Sequence, residues 1–239
     1  RLGLACVLAT LRFPGRPLAD GEVLPPGVLR FLARQIGVDH REIDRYFERP
    51  QTRREHLALL FERMKMRPFG PSDVRALTGW LTPAAQTMRQ ADALADMVVE
   101  ELRRRRILLP ARGALEAIIH VAIRRGIRIG HRALAGGLSE QQKLDLEKLL
   151  DPREGTSATI LAWARTPALS PTAVNLDRIA ERVQFLRSLH LPAELMERIP
   201  AKVFDELAAE GVRMSAQHLR DLNPERRHAV LAATVLHLS

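Results

Sequence analysis

The residues of this sequence that could do chemistry are mostly basic, and the chemistry they suit is holding anions rather than breaking bonds. From Gln51 the order is Gln-Thr-Arg-Arg-Glu-His-Leu, continuing Ala-Leu-Leu-Phe-Glu-Arg-Met-Lys-Met-Arg-Pro-Phe to Phe69. Thr52 followed three residues later by Glu55 predicts a capping box and a helix start. Leu57, Leu60, Phe61 and Met64 then share one face. Arg53 and Arg54 would fall in the first turn, where the positive end of the helix dipole opposes each base by about 0.3–1 kcal/mol. A phosphate bound by the free N–H groups of that turn would offset the cost. His56, Arg63, Lys65 and Arg67 extend the charge along the same segment. The same pattern also suits a solvated basic helix.

A second basic surface is expected on a helix from Ala114 towards Leu134. At 100° per residue, Leu115, Ile118, Ile119, Ala122, Ile123 and Gly126 share one side. Arg124, Arg125, Arg128 and Arg132 share the other, with Val121 among them and no acid along that face. Arg12 and Arg16 flank a Phe-Pro-Gly turn, where binding an anion and bracing the turn are both open. Arg103 to Arg106 close a helix, and four cations there complement the negative end of the dipole, a structural role.

Other chemistry is missing from the pattern. There is no phosphate-binding Walker loop, no His-Glu-x-x-His and no serine elbow. Gly126-Ile-Arg-Ile-Gly130 follows no strand and has the wrong spacing for a dinucleotide site. His56, His120 and His131 lie in basic segments and could reach phosphate, although an ordinary half-buried role fits them equally. Cys6 is the only cysteine, so no intrachain disulfide or cysteine zinc site can form. No metal or cofactor is expected, and no catalytic residue is assigned.

The 239 residues carry a net charge of +9, which favours a polyanionic partner. Only four of the 37 basic residues are lysines, a bias that GC-rich coding also produces, so the charge alone decides little. Hydrophobic content of 46% is enough for real cores. No apolar run reaches the roughly 18 residues of a membrane span, and no signal peptide is visible. A cytoplasmic protein is expected. The chain opens without methionine and is expected to be a piece of a longer protein.

Positioning these residues requires helices throughout, because no segment alternates like a strand. The expected fold is all-α: tandem small helical units with no sheet. Capping boxes are expected at Asp39/Glu42 and Ser139/Gln142, and caps at Ser170 and Asn223. Val28, Leu29, Leu32 and Ile36 should face inward on a helix opened by Pro25-Pro26-Gly27, and Pro71-Ser72-Asp73 should start another through Val74, Leu77, Trp80 and Leu81. Five of seven phenylalanines, the only tyrosine and Trp80 precede residue 82, which argues for a self-contained first unit. Asp151 to Ser157 is the best linker candidate. The resulting division is 1–88, 89–152 and 153–239, three helical units of which the last, more balanced in charge, reads as a packing module.

Five motifs occur in order: Arg1-Leu-Gly-Leu-Ala5, Leu11-Arg-Phe-Pro-Gly-Arg16, Thr52-Arg-Arg-Glu-His-Leu57, Arg103-Arg-Arg-Arg-Ile-Leu-Leu-Pro110 and Pro224-Glu-Arg-Arg-His-Ala229. Together they resemble the N-terminal DNA-binding region of the Tn-three family transposases, over nearly the whole chain. The resemblance implies a helical region of tandem helix-turn-helix-like units that binds double-stranded DNA at the transposon's terminal inverted repeats, with 1–88 and 89–152 as the DNA-binding units and 153–239 for packing or dimerisation. It also implies that the metal-dependent catalytic domain lies further along the parent chain, leaving this part without one. The family tyrosine after the paired arginines is replaced by His228, at a position read as packing. A helical scaffold that holds a transposase homodimer together is the alternative.

Overall fold

A computed structural model describes residues 1–19, 22, 24–167 and 170–239. These residues form thirteen α-helices and one 3-10 turn, with two isolated bridges (Arg67 with Ile107, Pro152 with Thr159) and no sheet among them. The all-α expectation is met. In order the helices are α1 (Leu2–Arg12), α2 (Pro26–Ile36), α3 (Glu42–Phe47), α4 (Pro50–Met64), α5 (Pro71–Thr87), α6 (Ala91–Arg104) and α7 (Arg112–Ala135). Then come α8 (Glu140–Lys148), α9 (Ile160–Ala164), α10 (Ala173–Arg187), the 3-10 turn Ala193–Arg198, α11 (Ala201–Arg213), α12 (Ala216–Asp221) and α13 (Pro224–Leu238).

The helices gather into two compact units, each discontinuous in sequence. Unit 1 is Arg1–Leu81 with Gln90–Val121; unit 2 is Thr82–Arg89 with Ala122–Ser239. Helices α5 and α7 run from one unit into the other. The three consecutive stretches read from the sequence divide the chain differently, and concern independent folding.

In unit 1, α1 packs against α2, α3 and α4. Leu2, Cys6, Val7 and Leu11 are buried with Leu29, Ala33, Ile43, Tyr46, Leu60 and Leu108. Each such leucine contributes about 1.5–3 kcal/mol by leaving water. A Cβ on Gly3 would stand 2.2 Å from the Tyr46 ring, so only glycine lets α3 approach this closely. Burial pushes the Cys6 thiol up to about 11, which keeps it neutral. Of the residues read as inward on α2, Leu29 is buried while Val28 is 42% exposed.

In unit 2, α13 is the central strut: Ala229 to Val235 are all buried. It packs most extensively on α11, where a Cβ on Gly211 would collide with Thr234. Arg165 donates to the carbonyls of Gly211 (2.6 Å), Val212 (3.2 Å) and Met214 (2.7 Å), closing the free end of α11. His228 pairs with Glu147 at 2.8 Å and is largely buried, so the departure at this position serves packing between α13 and α8.

Capping follows the sequence in part. Ser139 with Gln142 forms its box and Asn223 caps α13 ahead of Pro224. Three expectations fail. Asp39 accepts instead from the Arg41 N–H (2.9 Å), and α3 has no side-chain cap. Ser170 accepts from the Asn175 side chain while Thr172 caps α10. Helix α4 starts at Pro50, before Thr52. Proline suits the first helical position because its missing N–H has no partner there in any case. The proposed linker is also closed, not open. Arg153 bonds Ala158 (2.9 Å), Ile160 bonds Asp151 (3.0 Å) and Leu161 bonds Leu149 (2.7 Å), tying both ends of the 151–157 loop together.

Candidate nucleic-acid interface

The early start of α4 changes the first candidate site. With Pro50 at the first position, Arg53 and Arg54 fall at the fourth and fifth, past the free N–H groups of the opening. Glu55 accepts from the Gln51 side chain (2.9 Å) and makes no box with Thr52. The Arg53 guanidinium lies 5.6 Å from the Phe47 ring centre and donates to the Leu18 carbonyl (3.4 Å). His56 stacks on Tyr46 at 5.6 Å, with Nδ1 3.3 Å from the tyrosine hydroxyl. Arg53 and His56 thus brace α4 against its neighbours, and of the three only Arg54 is exposed.

Ion pairs occupy two further candidates. Arg16 forms a two-bond pair with Glu22, which holds that carboxyl down at about 2. Arg67 donates through both terminal nitrogens to Asp73, at 2.8 and 2.6 Å. Asp73 is 4% exposed on its side chain and also accepts from the Gly70 N–H (2.9 Å), so the pair anchors the start of α5. Arg67 is therefore a fold residue. Arg103 to Arg106 divide. Glu101, buried, is gripped by Arg104 (2.6 and 2.7 Å) and Arg105 (2.7 Å). Those bonds hold its carboxyl at about 2 rather than 4.5, with the Arg104 hydrogen bond the leading cause.

Four arginines of unit 1 converge. Arg12 at the end of α1, Arg63 in the last turn of α4, and Arg103 and Arg106 at the end of α6 surround one depression of about 400 Å³, floored by Leu11, Met64 and Met66. Arg12, Arg63 and Arg106 are exposed and make no ion pair among the described residues. Lys65 (φ 52°) and Arg106 (φ 57°) adopt left-handed backbone where α4 and α6 stop. The ends are joined as Arg67 donates to the Arg106 carbonyl (3.0 Å) and Leu108 to the Arg67 carbonyl (2.9 Å). Sequence reading gave Arg103 and Arg106 a dipole role alone. Their meeting with Arg12 and Arg63 had no local signal, because the residues lie on three separate helix ends.

In unit 2 a run of open arginines follows α7, close to the expected pattern. Arg124, Arg125 and Arg128 are exposed and have no carboxylate in ion-pair range among the described residues. Arg132 departs from that pattern: Glu225 reaches it at 3.4 Å, though both side chains are well exposed. Ile129 sits between the arginines, 41% exposed. The opposite face is anchored where a Gly126 Cβ would be 3.2 Å from the Ala85 backbone of α5, so glycine allows the close crossing. His131 is buried, and burial first, then Arg226, lowers its pKa, so it stays neutral and inside. Among the described residues no three His, Cys, Asp or Glu side chains are grouped to hold a metal ion, and no helix is long and apolar enough to cross a membrane.

Comparison with known proteins gives these surfaces a context. Residues 1–122 match the family model of a domain of unknown function, DUF4158. The chain is 36% identical over 236 residues to the transposase of transposon Tn501 from Pseudomonas aeruginosa, covering 99% of this chain and 24% of that protein. It is 34% identical over 236 residues to the transposase of Tn3926 from Escherichia coli, again 99% and 24%. It is 27% identical over 241 residues to the transposase of Tn1546 from Enterococcus faecium, covering 100% of this chain and 24% of that one. The chain thus spans about a quarter of the length of these relatives. It belongs to the DUF4158 family, and the relatives it matches from end to end are Tn-three family transposases.

Proposed function

We propose that this chain binds double-stranded DNA at the terminal inverted repeats of a bacterial transposon, as the N-terminal part of a transposase. The observation that carries the reading is the outer face of α7. Arg124, Arg125 and Arg128 stand exposed on one rigid helix with no acid paired to them among the described residues. Guanidinium groups held this way cost stability by mutual repulsion unless a polyanion meets them. Phosphates are such a partner, and arginine can also bond guanine edges in two places at once. Arg54, Lys65 and the depression of unit 1 supply further phosphate contacts. In this reading the chain positions DNA in the cytoplasm and cuts nothing, helix-turn-helix-like units present the arginines, and cutting belongs to other parts of the full-length enzyme.

A gel-shift series with an inverted-repeat duplex and a scrambled duplex, over rising salt, tests it. The expected result is preference for the repeat and a steep loss of affinity with salt. Equal, salt-insensitive or absent binding overturns it. A second reading, contact with another protein chain or a second transposase subunit, rests on α10. Val174 (60%), Leu176 (62%) and Ile179 (37%) are exposed on that helix, apolar surface that DNA does not explain. A mass that rises with concentration, and falls on changing Val174 and Leu176 to serine, would support it.

A further inference from the structure

Phe13 is the most exposed large apolar side chain among the described residues, at 73%. Nothing in the fold accounts for this. The residue follows α1 in extended conformation (φ −153°, ψ 120°) and points away from the Leu2–Leu11 core. It is also not loose. The Arg103 guanidinium covers one ring face, 4.8 Å from its centre, and is itself tied to Glu100 at 2.6 Å and to the Pro14 carbonyl at 3.5 Å. The Arg103 Nε is shielded from solvent and has no hydrogen-bond partner among the described residues. The ring directly follows Arg12, and the Arg103 that covers it lines the same depression as Arg12, Arg63 and Arg106.

An aromatic ring kept in water among cations matches the chemistry of a nucleobase stack. Bases offer a flat apolar face, and the phosphates on either side answer the arginines. A hydrophobic protein partner would instead meet three uncompensated charges around the ring. We propose, on the basis of the DNA-binding reading above, that Phe13 wedges into the base stack of the bound duplex while Arg12, Arg63 and Arg106 hold adjacent phosphates. The duplex is therefore kinked at that step. Pyrimidine–purine steps, which unstack most easily, are the preferred place.

The test uses the 239-residue chain, an inverted-repeat duplex and a series of duplexes in which the repeat is moved along the fragment to report bending. Phe13→Ala should weaken binding about tenfold, leave the salt dependence unchanged and remove the bend. Phe13→Trp should restore the bend, and a 2-aminopurine placed at the kinked step should change its emission with the parent and tryptophan proteins but not with alanine. Arg12→Ala should lower the salt dependence and keep the bend. Phe13→Ala binding and bending like the parent overturns the wedge while leaving the DNA-binding reading intact. Failure of the parent chain to bind any duplex overturns both. A Phe13→Ala change that alters only the concentration dependence of mass also overturns the wedge.

Discussion

The arginine cluster of unit 1 is drawn from the ends of three helices, whereas that of unit 2 lies along the side of one. The difference lies in how each is held. On α7, the spacing of Arg124, Arg125 and Arg128 is fixed by helix geometry alone, and the opposite face needs only to stay packed on α5. In unit 1, Arg12, Arg63, Arg103 and Arg106 meet only because α1, α4 and α6 end at the same place, joined through the Arg67–Ile107 bridge. Four other arginines there are spent on the fold: Arg16 on Glu22, Arg67 on Asp73, Arg104 and Arg105 on Glu101. An assembled surface should therefore be sensitive to tertiary stability, and a helical one should not.

The largest effect expected from this contrast is on stability. Glu101→Ala removes the charge-assisted hydrogen bonds of Arg104 and Arg105 and should destabilise unit 1 by about 1.5–2 kcal/mol, read as a fall in its thermal midpoint. The same pair gives a pH signature. The Glu101 carboxyl is depressed from 4.5 to about 2, so its contribution is complete above about 4.5 and fades as pH falls towards 2. The gap between parent and Glu101→Gln midpoints should narrow over that window. A constant gap would mean the pair is not what holds the end of α6.

Next comes Arg124→Ala with Arg125→Ala and Arg128→Ala. This triple variant should lose about 30-fold in duplex affinity with a shallower salt dependence and unchanged helical circular dichroism. Arg12→Ala with Arg63→Ala should cost about tenfold by the same measure. Glu101→Ala, which frees cations but loosens their frame, should weaken rather than strengthen binding if assembly matters. Smallest of all, Arg132→Ala and Arg16→Ala should each change affinity less than about threefold, because an acid already faces each of them. Limited proteolysis, finally, distinguishes the three stretches 1–88, 89–152 and 153–239 from the two interleaved units: first cuts near 88 and 152 favour the former.

The sequence showed the helical side of this contrast well and the assembled side poorly. The α7 face was legible because 3.6-residue periodicity places Arg124, Arg125 and Arg128 together whatever surrounds them. Arg53 was misplaced by a local rule: Thr52 and Glu55 have box spacing, but Pro50 opens the helix earlier. Arg67 looked available because Asp73 lies six residues away, across a loop whose course the sequence does not state. Asp151 to Ser157 reads as a linker by composition, yet its backbone bonds close it into a turn.

The sequence by itself determined the class of fold, the turns and caps at Ser139 and Asn223, and the basic stripe of α7. Each of these depends on residues within one or two helical turns, where geometry is set by the chain. Only the tertiary structure decided which arginines stay open to a partner. That depends on whether a carboxylate from another helix comes within about 4 Å, and a distance between segments far apart in the chain is fixed by packing alone.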